Sequence, residues 1–226
     1  MREIVREIVR PHEAMSHAGD LPVSNDVLTP DRILEAAEDV LRRFGPGKAT
    51  VVDVARALGV SHGSVYRHFP SKAALRDAVT KRWLHRIMVP LAAVVEEDGP
   101  APERLRRWLV LLTSAKRKRV SDDPELFATY LALASDAREV VAAHVQELAD
   151  QLARIIADGI ARGEFTPRDP SAAGRAVLDA TTRFHKPAHA GEWGDPGIDA
   201  ALDGVVSLIL AGLSAGPASI EAHHGT

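Results

Sequence analysis

Apolar residues recur at intervals of three and four along most of the chain, the period of helices with one buried face, and little of it alternates as a half-buried strand would. The first such segment opens at Thr29-Pro30, an N-cap followed by proline at the first helical position. It carries Ile33, Ala36, Ala37, Val40, Leu41 and Phe44 on one side until Gly45-Pro46-Gly47 breaks it. Val51, Val54, Ala55 and Leu58 then mark a short helix capped by Thr50 and ended by Gly59. Ser61 caps a third helix, in which Val65 and Phe69 point inward while Gly63, Ser64 and Arg67 point away, and Pro70 stops it. A longer helix follows from Ser71 through Leu75, Val79, Trp83 and Ile87, which Pro90 should kink or end.

After the break at Gly99-Pro100-Ala101-Pro102, Leu105, Trp108, Leu109 and Leu112 resume the helical period, up to a basic run at Lys116-Arg117-Lys118-Arg119. That run invites a second nucleic-acid contact, but cations complementing the dipole at a helix C-terminus explain it more simply. Ser121-Asp122-Asp123-Pro124-Glu125 reads as a helix start leading into Leu126, Phe127, Tyr130, Leu131 and Leu133. From Ala137 to about Gly163, Val141, Val145, Leu148, Leu152 and Ile155 form a buried stripe. His144 falls within it, so its imidazole is either satisfied in the core or turned into a cavity. Gly163 and Pro167 punctuate, Asp169-Pro170 opens a helix running towards Phe184, and Gly191 to Gly197 is a loop holding Trp193. The last helix, from about Ile198 to Leu213, is apolar on more than one side, which calls for a second partner besides the core.

Two short helices joined by a tight Gly-containing turn make a helix-turn-helix, whose second helix fits the major groove. The stretch Thr50 to Leu75 resembles the DNA-binding signature of the TetR family of transcriptional regulators more closely than that general motif requires. The matching residues are Thr50, Val51, Asp53, Val54, Ala55, Gly59, Val60, Ser61, Gly63, Ser64, Val65, Tyr66, His68, Phe69, Ser71, Lys72 and Leu75. The resemblance implies an all-α fold: a three-helix head followed by a larger helical body that binds an effector and dimerises through its last two helices. It further implies that the helix after Ser71 joins head to body, so that movement of the body tilts the head. The corresponding layout is an N-terminal extension at 1–28, a DNA-binding domain at 29–74, a body at 75–215 and a tail at 216–226. The near-repeat REIVREIV in the extension could make two helical turns, but so short a helix is marginal in water, and no function attaches to it.

Within the head, His62, Gly63 and Arg67 are the candidates for the groove floor, since Arg pairs bidentately with guanine and Gly63 admits the backbone closely. Ser61 and Ser64 belong to the same face, and Thr50, Tyr66, His68 and Lys72 are cast as phosphate contacts, with a core-covering role as the other reading of Tyr66 and His68. Lys72 directly follows the cap Ser71, where free amides and the helix dipole attract an anion. In the body, Trp108, Tyr130, His144, Phe184 and His185 are the effector-binding candidates, being bulky or polar among small apolar neighbours. His185 and His189 have the spacing of two metal ligands, but Pro187 between them disrupts the helix and no carboxylate is placed nearby, so no metal is assigned.

Charge sharpens this division of labour. The chain has a net charge of −3 over 226 residues, yet from Thr29 to Pro90 there are 11 Lys and Arg against 6 Asp and Glu, and from Leu91 onward 14 against 20. A basic head on an acidic body is what phosphate contact at one end requires. The absence of cysteine excludes disulfides, thiolate metal sites and cysteine nucleophiles, and suits a cytoplasmic location. No apolar run approaches a membrane span, and there is no Gly-rich phosphate loop, HExxH or nucleophile elbow to suggest an enzyme. The expectation is a homodimeric repressor on a palindromic operator in double-stranded DNA, without cofactor, released by a small hydrophobic effector. The competing reading is a DNA-binding adaptor or architectural protein whose solid body binds another protein.

Overall fold

A computed structural model describes residues 27–166 and 169–215; REIVREIV, Pro167 and the tail after Ala215 lie outside them. The described residues form ten α-helices and a short 3-10 helix, with no strand. Three make the head: α1 (Pro30–Lys48), α2 (Val51–Leu58) and α3 (His62–His68). Gly45, at φ 73° and ψ 166°, breaks the helical path inside α1, the left-handed φ that glycine alone takes without strain. Gly59 at φ 67° ends α2 in the same way, so both glycine stops expected from the sequence occur.

The joining helix α4 (Lys72–Glu96) contains Pro90 in its interior and continues past it, where a kink or stop was expected. Pro90 and Arg86 both lie on the exposed side, so water can take the Arg86 carbonyl that loses its backbone donor. The helix ends instead where Arg104 reaches it. This buried guanidinium donates to the carbonyls of Val94 and Val95, which the last turn leaves without partners, and pairs with Asp158.

The body contains α5 (Ala101–Asp122), α6 (Pro124–Asp136), α7 (Arg138–Ala161), α8 (Pro170–Ala180), α9 (Thr182–His185), a 3-10 helix (Pro187–Glu192) and α10 (Ile198–Ser214). The helix opened by Asp169-Pro170 divides at Thr181, whose buried hydroxyl donates to the Val177 and Leu178 carbonyls. Gly174 lets α8 press onto α7: a Cβ there would stand 2.7 Å from the Ala153 nitrogen and 2.8 Å from the Ala149 oxygen.

Two apolar cores result. The larger gathers α4, α5, α7, α8 and α10 around Trp108, Leu109, Leu152 and Ile155. The smaller lies in the head, from Ile33 and Val40 through Val54 and Val65 to Leu75 and Val79, and also takes in Leu133 from α6. Arg82 binds Asp31 and Glu35 of α1, Arg86 binds Glu38 through both oxygens at 2.9 and 3.0 Å, and Arg42 and Arg76 reach Asp123, the N-cap of α6, and Asp136 at its end. The head therefore rests on α4 and α6 together.

Candidate nucleic-acid interface and effector cavity

Capping fixes the head's geometry. Thr50 accepts the Asp53 amide at 3.2 Å, and the Asp53 carboxylate accepts the Thr50 amide at 3.1 Å, closing both ends of a capping box. The Thr50 hydroxyl bond holds the Asp53 carboxyl below the usual carboxylate range. That hydroxyl also donates to Asp53 at 2.6 Å, so a phosphate contact from Thr50 has to take over this proton. Ser61 caps α3 by accepting the Ser64 amide, and Ser71 caps α4 by accepting the Ala74 amide at 3.0 Å.

These caps orient one face of α3 outward. Val65 is fully buried beneath it, while His62, Gly63, Tyr66, Arg67 and His68 are exposed, with Lys72 just beyond. Tyr66 and His68 therefore do not cover the core. Tyr66 stands edge-on to His62, ring centres 6.3 Å apart, and a Cβ on Gly63 would meet only Ser61 Oγ at 3.8 Å. Arg67 donates back to Ser64 Oγ at 3.1 Å.

The body contains a cavity of about 390 Å³, at the small end of the range for pockets that hold organic ligands. Lys116 of α5 closes one side; Tyr130, Leu131 and Ala134 of α6 and Val141, His144, Val145 and Leu148 of α7 form the next two. Arg175, Leu178 and Asp179 of α8, with Thr182, His185, Lys186 and Pro187, complete it. A second cleft of about 280 Å³ between α4 and α7 shares His144 as its wall.

Of the five effector candidates, the structure brings Tyr130, His144 and His185 to this cavity. Trp108 lies in the core, its indole N–H donating to Gln151 at 2.8 Å, and Phe184 is also core; neither lines the cavity. His144 is only 7% exposed, and neither ring nitrogen has a partner among the described residues. Burial, reinforced by the Lys116 and His185 charges, lowers its pKa to about 3, so the ring is neutral at pH 7. His185 is lowered to about 4, chiefly by burial, and its Nε2 bonds the Leu178 carbonyl at 3.1 Å. His189 instead pairs at 3.0 Å with Glu192, a carboxylate three residues on, which corrects the expectation that none lies nearby, and the two histidines serve different partners. Tyr130 stacks on Trp83 with ring centres 3.6 Å apart, and burial raises its phenol to about 12.

Lys116 belongs to the basic run that the sequence places at a helix terminus. The helix in fact continues to Asp122, and each neighbour finds its own partner. Arg117 pairs with Asp199, Lys118 with Asp122 at 2.7 Å, and Arg119 lies 4.6 Å over the Trp83 ring. Lys116 continues the inward spacing of Leu105, Leu109 and Leu112, the signal that could have found it.

Among the described residues, no helix is long and apolar enough to cross a membrane, and no group of three potential metal ligands occurs. The capped head and many-walled body define a helix-turn-helix regulator with a separate helical domain. Residues 33–79 match the model of bacterial regulatory proteins of the TetR family, and residues 101–206 that of a tetracyclin repressor-like C-terminal domain. The chain belongs to the TetR family of transcriptional regulators. An uncharacterized HTH-type transcriptional regulator of Mycobacterium tuberculosis is 39% identical over 107 residues, covering 46% of this chain and 49% of that one. RutR of Escherichia coli is 28% identical over 138 residues, covering 61% and 65%. The chain thus spans about half to two thirds of the length of these relatives. A TetR/AcrR-family regulator from Thermobifida fusca shares the fold with a TM-score of 0.56 at 21% identity, covering 81% of this chain and 97% of that one.

Proposed function

We propose that the chain is a cytoplasmic repressor, not an enzyme, that binds a palindromic operator as a homodimer and leaves it when a small molecule occupies the body cavity. The exposed polar face of α3 supports the output half, with Arg67 as the base reader, His62 and Gly63 beside it, and Tyr66, His68, Thr50 and Lys72 directed to phosphates. A second copy is supported by Leu208, a large apolar side chain left 75% exposed on α10. The single observation that carries the input half is the cavity of about 390 Å³, walled by several helices and containing a buried imidazole without partners. It also weighs against the adaptor reading, for which a solid body was expected. Effector need only bind the released conformation more tightly than the DNA-bound one.

Footprinting on the upstream region of the chain's own gene tests this, with a two-fold symmetric protected site as the expected result. Arg67→Ala should remove sequence preference and leave weak, salt-sensitive binding. An asymmetric footprint, or unchanged preference in the variant, would refute the dimeric operator or the role of Arg67 respectively.

A further inference from the structure

The cavity presents a charge imbalance. Lys116 is 5% exposed and makes no ion pair or hydrogen bond among the described residues, whereas its three basic neighbours in the sequence all have partners. The carboxylate in the same lining, Asp179, is engaged by Arg175 at 3.1 Å. Lys186 at the rim adds positive charge, and the nearby imidazoles of His144 and His185 are neutral at pH 7 and cannot compensate a cation. A buried, unpaired ammonium is costly, and a counter-charge removes much of that cost.

Resting on the reading of this cavity as the effector site, we propose that the effector is an amphipathic monoanion of the carboxylate type, its acid group received by Lys116 and His144 and its apolar body lying along Leu131, Val141 and Leu148. A neutral imidazole carries one N–H, so His144 supplies a donor to the second oxygen while Lys116 supplies the charge. A neutral alcohol could accept from Lys116 but would leave the ammonium uncompensated, and an amine would add a second buried cation. Ala134, Val145 and Leu178 add apolar wall that suits a hydrocarbon body, while Arg175, Asp179 and Thr182 make the side towards α8 and α9 polar.

The test uses the full chain and straight-chain carboxylates from hexanoate to dodecanoate, each with the alcohol and amine of equal length. Calorimetric titration and thermal shift report binding. The expected result is that a carboxylate binds at least about tenfold more tightly than its matched alcohol, as a charge-assisted hydrogen bond requires. Lys116→Met should erase that preference while still binding the alcohol, which also shows that the variant is folded. Equal binding of acid and alcohol, or a preference that survives in Lys116→Met, overturns the anion assignment and leaves the cavity as an effector site. Failure of every head group to bind overturns both.

Discussion

Lys116→Met should stabilise the protein. Methionine nearly matches lysine in length and helix propensity, so the substitution mainly removes the ammonium. Burial, with the Arg119 charge adding to it, lowers the Lys116 pKa from the ordinary 10.5 to about 8. Each tenfold change in a proton equilibrium is worth about 1.4 kcal/mol, so the charged form costs the fold about 3 kcal/mol. The unfolded chain binds the proton more tightly, so this cost is present in full below about pH 8, declines as pH rises, and is gone above 10.5. Around Lys116 stand Arg119 on its own helix, Tyr130 on α6, His144 on α7, Arg175 and Asp179 on α8, and His185 with Lys186 beyond. Tyr130 titrates near 12 and the two histidines near 3 and 4, outside the window. Urea unfolding of both proteins at one concentration, at pH 7 and pH 10, isolates the effect, since common titrations cancel in the difference. The variant should gain about 3 kcal/mol at pH 7, or about 6–12 °C in melting temperature, and most of that gain should vanish by pH 10. No gain at pH 7, or a gain independent of pH, would refute the idea that an uncompensated buried charge sits at this site.

Other substitutions probe the frame around the cavity and the interface. Gly174→Ala forces a methyl into the backbone of α7 and should cost about 1–3 kcal/mol in urea unfolding; a neutral result would mean that α8 is free to move off. Arg104→Met strands the Val94 and Val95 carbonyls and Asp158, and should cost about 2–4 kcal/mol by the same assay, discounted because Asp158 still reaches water. Leu208→Asp, far out on α10, should change monomer stability by less than about 0.5 kcal/mol yet shift sedimentation from dimer to monomer; an unaltered dimer would place the interface elsewhere.

The head was legible in the sequence because its signals are local. Thr50, Gly59, Ser61 and Ser71 each settle a helix end through atoms within a few residues, and the glycine stops follow from backbone sterics alone. The cavity was not, because it forms where Lys116, Tyr130, His144 and His185 meet from four helices, and periodicity says which face is buried but not what it faces. Trp108 and Phe184 illustrate the difference: bulk predicts burial, and both are buried, but bulk does not predict a place beside a void. Pro90 is a third case, since a proline breaks a helix according to where its freed carbonyl lands, and here it lands towards water.

Helix α6 belongs to two compartments at once. Tyr130 forms part of the cavity wall, and Leu133, three residues on, is packed into the core of the head. Along a helix that separation is about 4.5 Å, less than one turn. Since a helix is stiff and a close-packed core yields little, a displacement of α6 at Tyr130 would carry Leu133 with it. On the function proposed above, sensor and reader would be neighbours divided by a single partition, and a signal would cross the thickness of that partition rather than the length of the molecule.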